Sequence, residues 1–489
     1  MWRRTVENGV GAHLTRKHTG GVIILIGMAT RFTHRHTHAY DARPATQRVV
    51  SSRAATSSAI APQTPATATA GTPAAGRKRM MSIEVLRLLA IVCIAIFHAF
   101  LQQYVQAIWM GPHYPVSVAE PVSALASSRG AMWIVAMIMY CGAWGNHIFF
   151  MISGFFLIPR MCGAAGSSGY WNTQLRATGR RIAMILATIA FYLLLVLAAG
   201  HWAPSVSNDT QSASLVYELE FVWLYLAFVA LAPAIAWVLN RLGACRSAVV
   251  AGVVLIAVYA LNAYVACTWQ AQYGQRTLLD WRKQMSAVSY ALSFGLAGLL
   301  GWAVQHNSER RTEDKRHGVR HADRRPLWTI RGFWLCGVLV LLAVASVLTA
   351  VMVMRSSYVA LYALSFKSTS LISFALAVCA LMAAACPPLH ARVHATRRAE
   401  AVVAALASGI LGFYVVQTLA GFLWKAVNAR FLDPLLVCAA SLQSGFAVFG
   451  ELAAWIAVGA MLSLAYVVVV CLFDRCVRRP LLCMVHLSK

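Results

Sequence analysis

Arg87 and His98 stand at the two ends of RLLAIVCIAIFH, with ten apolar residues between them. An arginine offers a planar fork of donors matched to phosphate or carboxylate, and a neutral imidazole can take up a proton near neutrality or act as a nucleophile. On a helix, eleven steps of 100° turn through 1100°, so the two side chains fall within about 20° of one face and about 16 Å apart along the axis. One stripe therefore carries an anion binder near one end and an acid–base group deeper in. Glu84 is spaced to orient Arg87 as an i,i+3 pair. Taken singly, Arg87 would also suit snorkelling to lipid headgroups, and His98 a hydrogen bond to a neighbouring helix. The shared stripe weakens both of those readings.

The element that must hold this stripe is a membrane span. The 489-residue chain is 59% hydrophobic and 12% charged, with a mean hydropathy of +0.63, far from the balance of a soluble globular domain. Its net charge of +26 does not mark a nucleic-acid binder, because the basic residues lie between long apolar runs rather than on one soluble face. Runs of about 20 apolar residues predict an all-α bundle of about ten transmembrane helices. They lie near 83–104, 131–158, 181–200, 215–239, 246–267, 286–304, 332–354, 369–386, 400–424 and 447–473. With the N-terminus inside, 33 of the 42 Lys and Arg residues fall in cytoplasmic segments and 8 in outer loops, which predicts both termini cytoplasmic in a multi-pass plasma-membrane protein. The outer loop with Arg276, Arg282 and Lys283 runs against this trend.

Residues 1–79 are rich in Ala, Thr, Ser, Arg and Pro and read as a disordered basic cytoplasmic tail. Within it, 21–29 is too short to span, and THRHTHAY (His34, His36, His38) reads as solvated rather than metal-binding. MMSIEVLR has the look of a translation start at Met80 or Met81. The membrane domain then covers 80–475 and a short basic cytoplasmic tail 476–489. Twelve cysteines include no CxxC pair, which points to neither zinc nor a disulfide framework, and no metal site is predicted. There is no GxGxxG, Walker A, GxSxG or HExxH motif.

A second stretch, GNHIFFMISGFFLIPR (145–160), sets Ser153-Gly154 inside an aromatic span. Alone, such a step usually marks close helix packing. Together, IEVLRLLAIVCIAIFH and IFFMISGFFLIPR resemble the acyltransferase-3 family of integral membrane acyltransferases, whose first helix carries an arginine, ten residues and a histidine and whose next carries a phenylalanine-rich SGF or SGY. Arg180 and Arg181 are similar to the family's basic pair, FVWLYLAFVALAPAIAWVLN (221–240) to its Trp-aromatic segment, and SYALSFGLAGLLGW (289–302) to its glycine-bearing sixth helix. The wording FMISGFFL most resembles the surface-polysaccharide O-acyltransferase branch. One departure stands out. Where many members place a histidine near the penultimate helix, SGILGFYVVQ places Gln417, which cannot take up a proton near neutrality.

The resemblance implies an O-acyltransferase with no bound cofactor, using acyl-CoA, acetyl-CoA first, as donor substrate. Arg87, Arg180 and Arg181 would bind the donor's phosphates, His98 would act as general base or carry the acyl group itself, and Trp223, Tyr225 and Tyr414 would line the path. Glu84, Ser153, Gly154 and Gln417 would support it. The partners implied are membrane lipid, acyl-CoA and a glycan or lipid-linked sugar acceptor, with no nucleic acid. Glu218 and Glu220 read as interfacial, and Glu451 as a partner for an outer-loop cation. The competing class is a transporter of a polar solute in which His98 relays protons. Against it, the chain has no paired Gly/Pro-broken spans and no internal repeat.

Overall fold

A computed structural model describes residues 80–108, 116–202, 219–268, 281–316, 327–365, 368–386, 396–442 and 444–484. The tail 1–79, with its histidine run, lies outside the described residues, as does Glu218. Among the described residues every regular element is helical. In chain order they are α1 (Met81–Ile108), α2 (Val116–Ser127), α3 (Arg129–Cys162), α4 (Tyr170–Trp202), α5 (Glu220–Thr268), α6 (Trp281–Arg316) and α7 (Arg331–Met354). There follow α8 (Tyr358–Ser365), α9 (Leu371–Ala385), α10 (Arg397–Ala407), α11 (Ile410–Leu419), α12 (Gly421–Ser441), α13 (Gly445–Phe473), a π-helical turn (Asp474–Arg478) and α14 (Arg479–Met484).

Seven of these helices are long and apolar enough to cross a membrane, or eight if the bent pair α10–α11 is one span, against the ten expected. Three differences account for the gap. The fourth and fifth expected spans both lie in α5, two helices that meet at Gly243, where φ is 74°, and that count as one length above. Ser247 Oγ lies 3.5 Å from Leu239 O, whereas eight residues of straight helix would separate them by about 12 Å. The chain therefore turns back at Gly243, a left-handed backbone position that suits glycine. The eighth span, α9, is a 15-residue helix. The ninth, 400–424, breaks twice, at Ser408–Gly409 and at Ala420, and the helical chain continues through α12 to Ser441.

α3 runs through the middle and packs on α1, α5, α6 and α9. Its approach to α6 depends on missing side chains: a Cβ on Gly154 would collide with the Phe294 carbonyl, and one on Gly301 with the Phe155 carbonyl. Gly142 and Gly145 admit Phe97 and Ile94 of α1 in the same way. Small residues let helix backbones close where lipid supplies no hydrophobic drive between them. The core follows this axis, with Ile91, Ile94 and Ala95 of α1 packed among Phe149, Phe150, Phe413, Tyr414 and Val467.

Candidate functional site

Arg87 and His98 both lie in one unbroken helix, α1. Arg87 Nη1 donates to both Glu84 carboxylate oxygens, at 3.0 and 3.2 Å, and its guanidinium lies 5.6 Å over the Phe156 ring of α3. Glu84 thus orients Arg87, and Phe156 holds its plane. The Tyr225 hydroxyl of α5 lies against Ser153 and in the field of both Arg87 and Arg181. Arg181 in turn faces Arg160, and its Nη1 is buried with no hydrogen-bond partner. Two guanidinium groups, Arg87 and Arg181, therefore act on one tyrosine, a third, Arg160, acts on Arg181, and the carboxylate tied to Arg87 is Glu84. Such a cluster suits an anion with several oxygens.

Deeper along α1, aromatic rings form a collar. Tyr414 stacks on Phe221 with centroids 4.6 Å apart and lies 4.4 Å from Phe149, while Phe149 lies 4.8 Å from Tyr225. The Tyr414 hydroxyl and Gln417 Oε1 are buried without hydrogen-bond partners. Polar atoms left unpaired in a dry interior are costly, which marks them as places for a ligand's donors and acceptors.

Beyond the collar lies His98, exposed although its chain neighbours Phe97 and Ala99 are buried. It shares its azimuth within about 20° with Ile91, which is fully buried, and points about 180° away from the exposed Leu89. Its exposure is therefore toward the bundle and not toward the apolar rim. The next residue out on that face, Gln102, is exposed as well. Among the described residues neither ring nitrogen of His98 has a hydrogen-bond partner, and the charge that its ring feels is that of Lys425 on α12.

Two expected site residues fall elsewhere. Trp223, 36% exposed, lies two residues from Tyr225 and so points about 160° away from it on the same helix, which takes it off the path that Tyr225 faces. Arg180 is exposed, and the contacts that join Arg181 to Tyr225 and Arg160 do not include it. Gly154 serves the α3–α6 contact, and Ser153 Oγ donates to Phe149 O at 3.0 Å while meeting Tyr225. Glu220, expected at an interface, is paired with Lys283 at 2.9 Å.

Sequence reasoning passed over two polar residues. His147 is fully buried, with Nδ1 2.8 Å from Ser293 Oγ and Nε2 2.8 Å from Ser368 O. A carbonyl only accepts, so Nε2 carries a proton, while Ser293 Oγ stands 2.8 Å from both Nδ1 and Ser289 O with one proton to serve them. Both nitrogens are thereby committed, the opposite of His98. With the ninth expected span ending at residue 424, Lys425 falls just beyond it in the sequence. The signal for it was available in the apolar stripe Leu423, Val427, Phe431, which continues the helix past that boundary.

The described residues thus form a bundle of membrane-length helices with arginines and a histidine on α1 and its neighbours. The family model described as acyltransferase domain matches residues 81–474. The chain therefore belongs to the acyltransferase-3 family and is a multi-pass membrane enzyme that transfers acyl groups. No curated protein and no solved structure matches it significantly.

Proposed function

We propose that the enzyme is an O-acyltransferase that moves an acyl group, acetyl in the simplest case, from a cytoplasmic CoA thioester to a hydroxyl of a cell-envelope glycan or lipid-linked sugar. The observation that carries this reading is that His98, with both ring nitrogens unspent, ends the stripe that Arg87 begins. Arg87 and Arg181 take the donor's phosphates, and Arg160 adds to their field. The thioester passes inward through the collar of Phe149, Phe221 and Tyr414.

At His98 the acceptor hydroxyl oxygen attacks the thioester carbonyl carbon while the imidazole takes the hydroxyl proton. Collapse of the tetrahedral intermediate breaks the C–S bond, and the departing CoA thiolate receives the proton from the imidazolium. The ester and CoA are the products, and His98 is neutral again. Gln417, in place of a second histidine, hydrogen-bonds only and leaves all proton transfer to His98. In this arrangement the start of α1 faces the cytoplasm of the plasma membrane, as do both termini, in keeping with the Lys and Arg distribution. The FMISGFFL wording favours the surface-polysaccharide branch.

The test compares ester-linked acyl groups on envelope glycans by mass spectrometry in cells with the gene, without it, and with His98→Ala. The wild type alone should carry the ester increment. An unchanged glycan accompanied by altered solute uptake would instead establish the transporter.

A further inference from the structure

The open space in front of His98 has a second wall, on α12. At 100° per residue Lys425 lies within about 20° of Leu432 and Leu436 and about 160° from Leu423 and Val427. Leu432 and Leu436 are buried, packed in one cluster with Phe100 and Tyr104 of α1, whereas Leu423 and Val427 are exposed. Lys425 thus sits on the bundle-facing side of α12 and yet is exposed there, as His98 is on α1. The two helices share that buried cluster, so His98 and Lys425 are both solvent-accessible on sides that face the bundle.

Among the described residues Lys425 has no carboxylate partner. Asp433, the acidic residue of its own helix, stands two turns away. Asn428, one turn from Lys425 on the same side, is 6% exposed, and its Oδ1 is buried without a hydrogen-bond partner. A bundle-facing cation without a counter-ion suits an anionic ligand. An unpaired amide oxygen beside it calls for a donor. The two demands together describe a molecule with a negative charge and a hydroxyl close by.

We propose that Lys425 and Asn428 form, opposite His98, an acceptor subsite for an acidic polyol, a hydroxyl-bearing molecule with a carboxylate or phosphate beside the hydroxyl to be acylated. This rests on the acyltransferase reading above and names its acceptor class. Lys425 holds the anion, Asn428 Oδ1 accepts from a neighbouring hydroxyl, and the hydroxyl to be acylated is left facing His98. The acceptor's anion also offsets the repulsion between Lys425 and the imidazolium formed during transfer.

The experiment follows carbethoxylation of His98 by diethyl pyrocarbonate, site by site in the mass spectrum, on full-length protein in nanodiscs. The probes are methyl glucuronide, glucose 6-phosphate and methyl glucoside. In the wild type the glucuronide, the phosphate or both should protect His98 at about tenfold lower concentration than the neutral glucoside, the factor that one charge-assisted hydrogen bond supplies. The arm that protects identifies carboxylate or phosphate. Lys425→Gln should remove that preference and Lys425→Arg should keep it, each scored only on inserted, monodisperse protein. Equal protection by all three probes, no protection by any, or a preference that survives in Lys425→Gln overturns the subsite. CoA release from acetyl-CoA in the same nanodiscs reports separately on the acyltransferase reading. Protection without release leaves the subsite standing and removes the reaction, and release without selective protection does the reverse.

Discussion

At the scale of single residues, two intramembrane histidines have opposite fates because their partners differ. His98 has unspent nitrogens in an open space, so His98→Ala should lower acyl transfer by about 10²-fold or more, the usual range for a general base, while donor binding persists. Steady-state CoA release with a donor titration checks both halves. His147 is committed to Ser293 and Ser368. His147→Ala should therefore leave turnover per folded molecule near wild type and reduce the amount of folded protein, since each orphaned buried partner costs about 1–3 kcal/mol. Comparing activity per monodisperse molecule with total yield separates the two effects. Arg87→Lys should raise the apparent KM for the donor more than it lowers kcat, because an ammonium lacks the planar fork that Glu84 and Phe156 hold in place.

At the scale of elements, the end of α13 is bound into the bundle by charge. The Asp474 carboxylate is fully buried and accepts from Tyr192 Oη at 2.9 Å and from Arg478 Nη2 at 2.9 Å, while Arg478 Nη1 reaches Thr188 Oγ1 at 2.9 Å. Arg479 Nη2 donates to Ser408 O at 2.7 Å, across the break between α10 and α11. Asp474→Asn leaves Arg478 buried without its counter-ion and should cost about 3–5 kcal/mol, whereas adding Arg478→Met should recover part of that. Thermal unfolding of the purified proteins checks it. This clamp was not legible in the sequence, where charges after an apolar run read as the start of a solvated tail at 476. The Arg87–His98 stripe was legible, because a fixed turn per residue places two positions on one face without any knowledge of neighbours. Lys425 and His147 were not, since their importance comes from what other helices bring to them. The breaks at Gly243 and Ala420 blurred span ends for a related reason, as hydropathy averages over a window and does not register a single non-helical residue.

At the scale of the whole molecule, the proposed orientation rests on the asymmetry of Lys and Arg. Reporter fusions after residues 315 and 395 should therefore read cytoplasmic, and fusions near 115 and 207 external. An external 305–331 segment would invert the path from Arg87 to His98. The stretch between those two residues has a further consequence. Ile91, Ile94 and Ala95, exposed by no more than 2%, close the interior against Phe149, Phe150 and Tyr414. An open space at His98 and a cationic mouth at the Arg87 end of α1 would, if joined by water, short-circuit the membrane. On the reaction path proposed above, this plug would let a tethered acyl group through without a continuous column of water. Vesicles carrying the wild type should hold an imposed pH gradient as long as empty vesicles do, and Ile94→Gly should drain it.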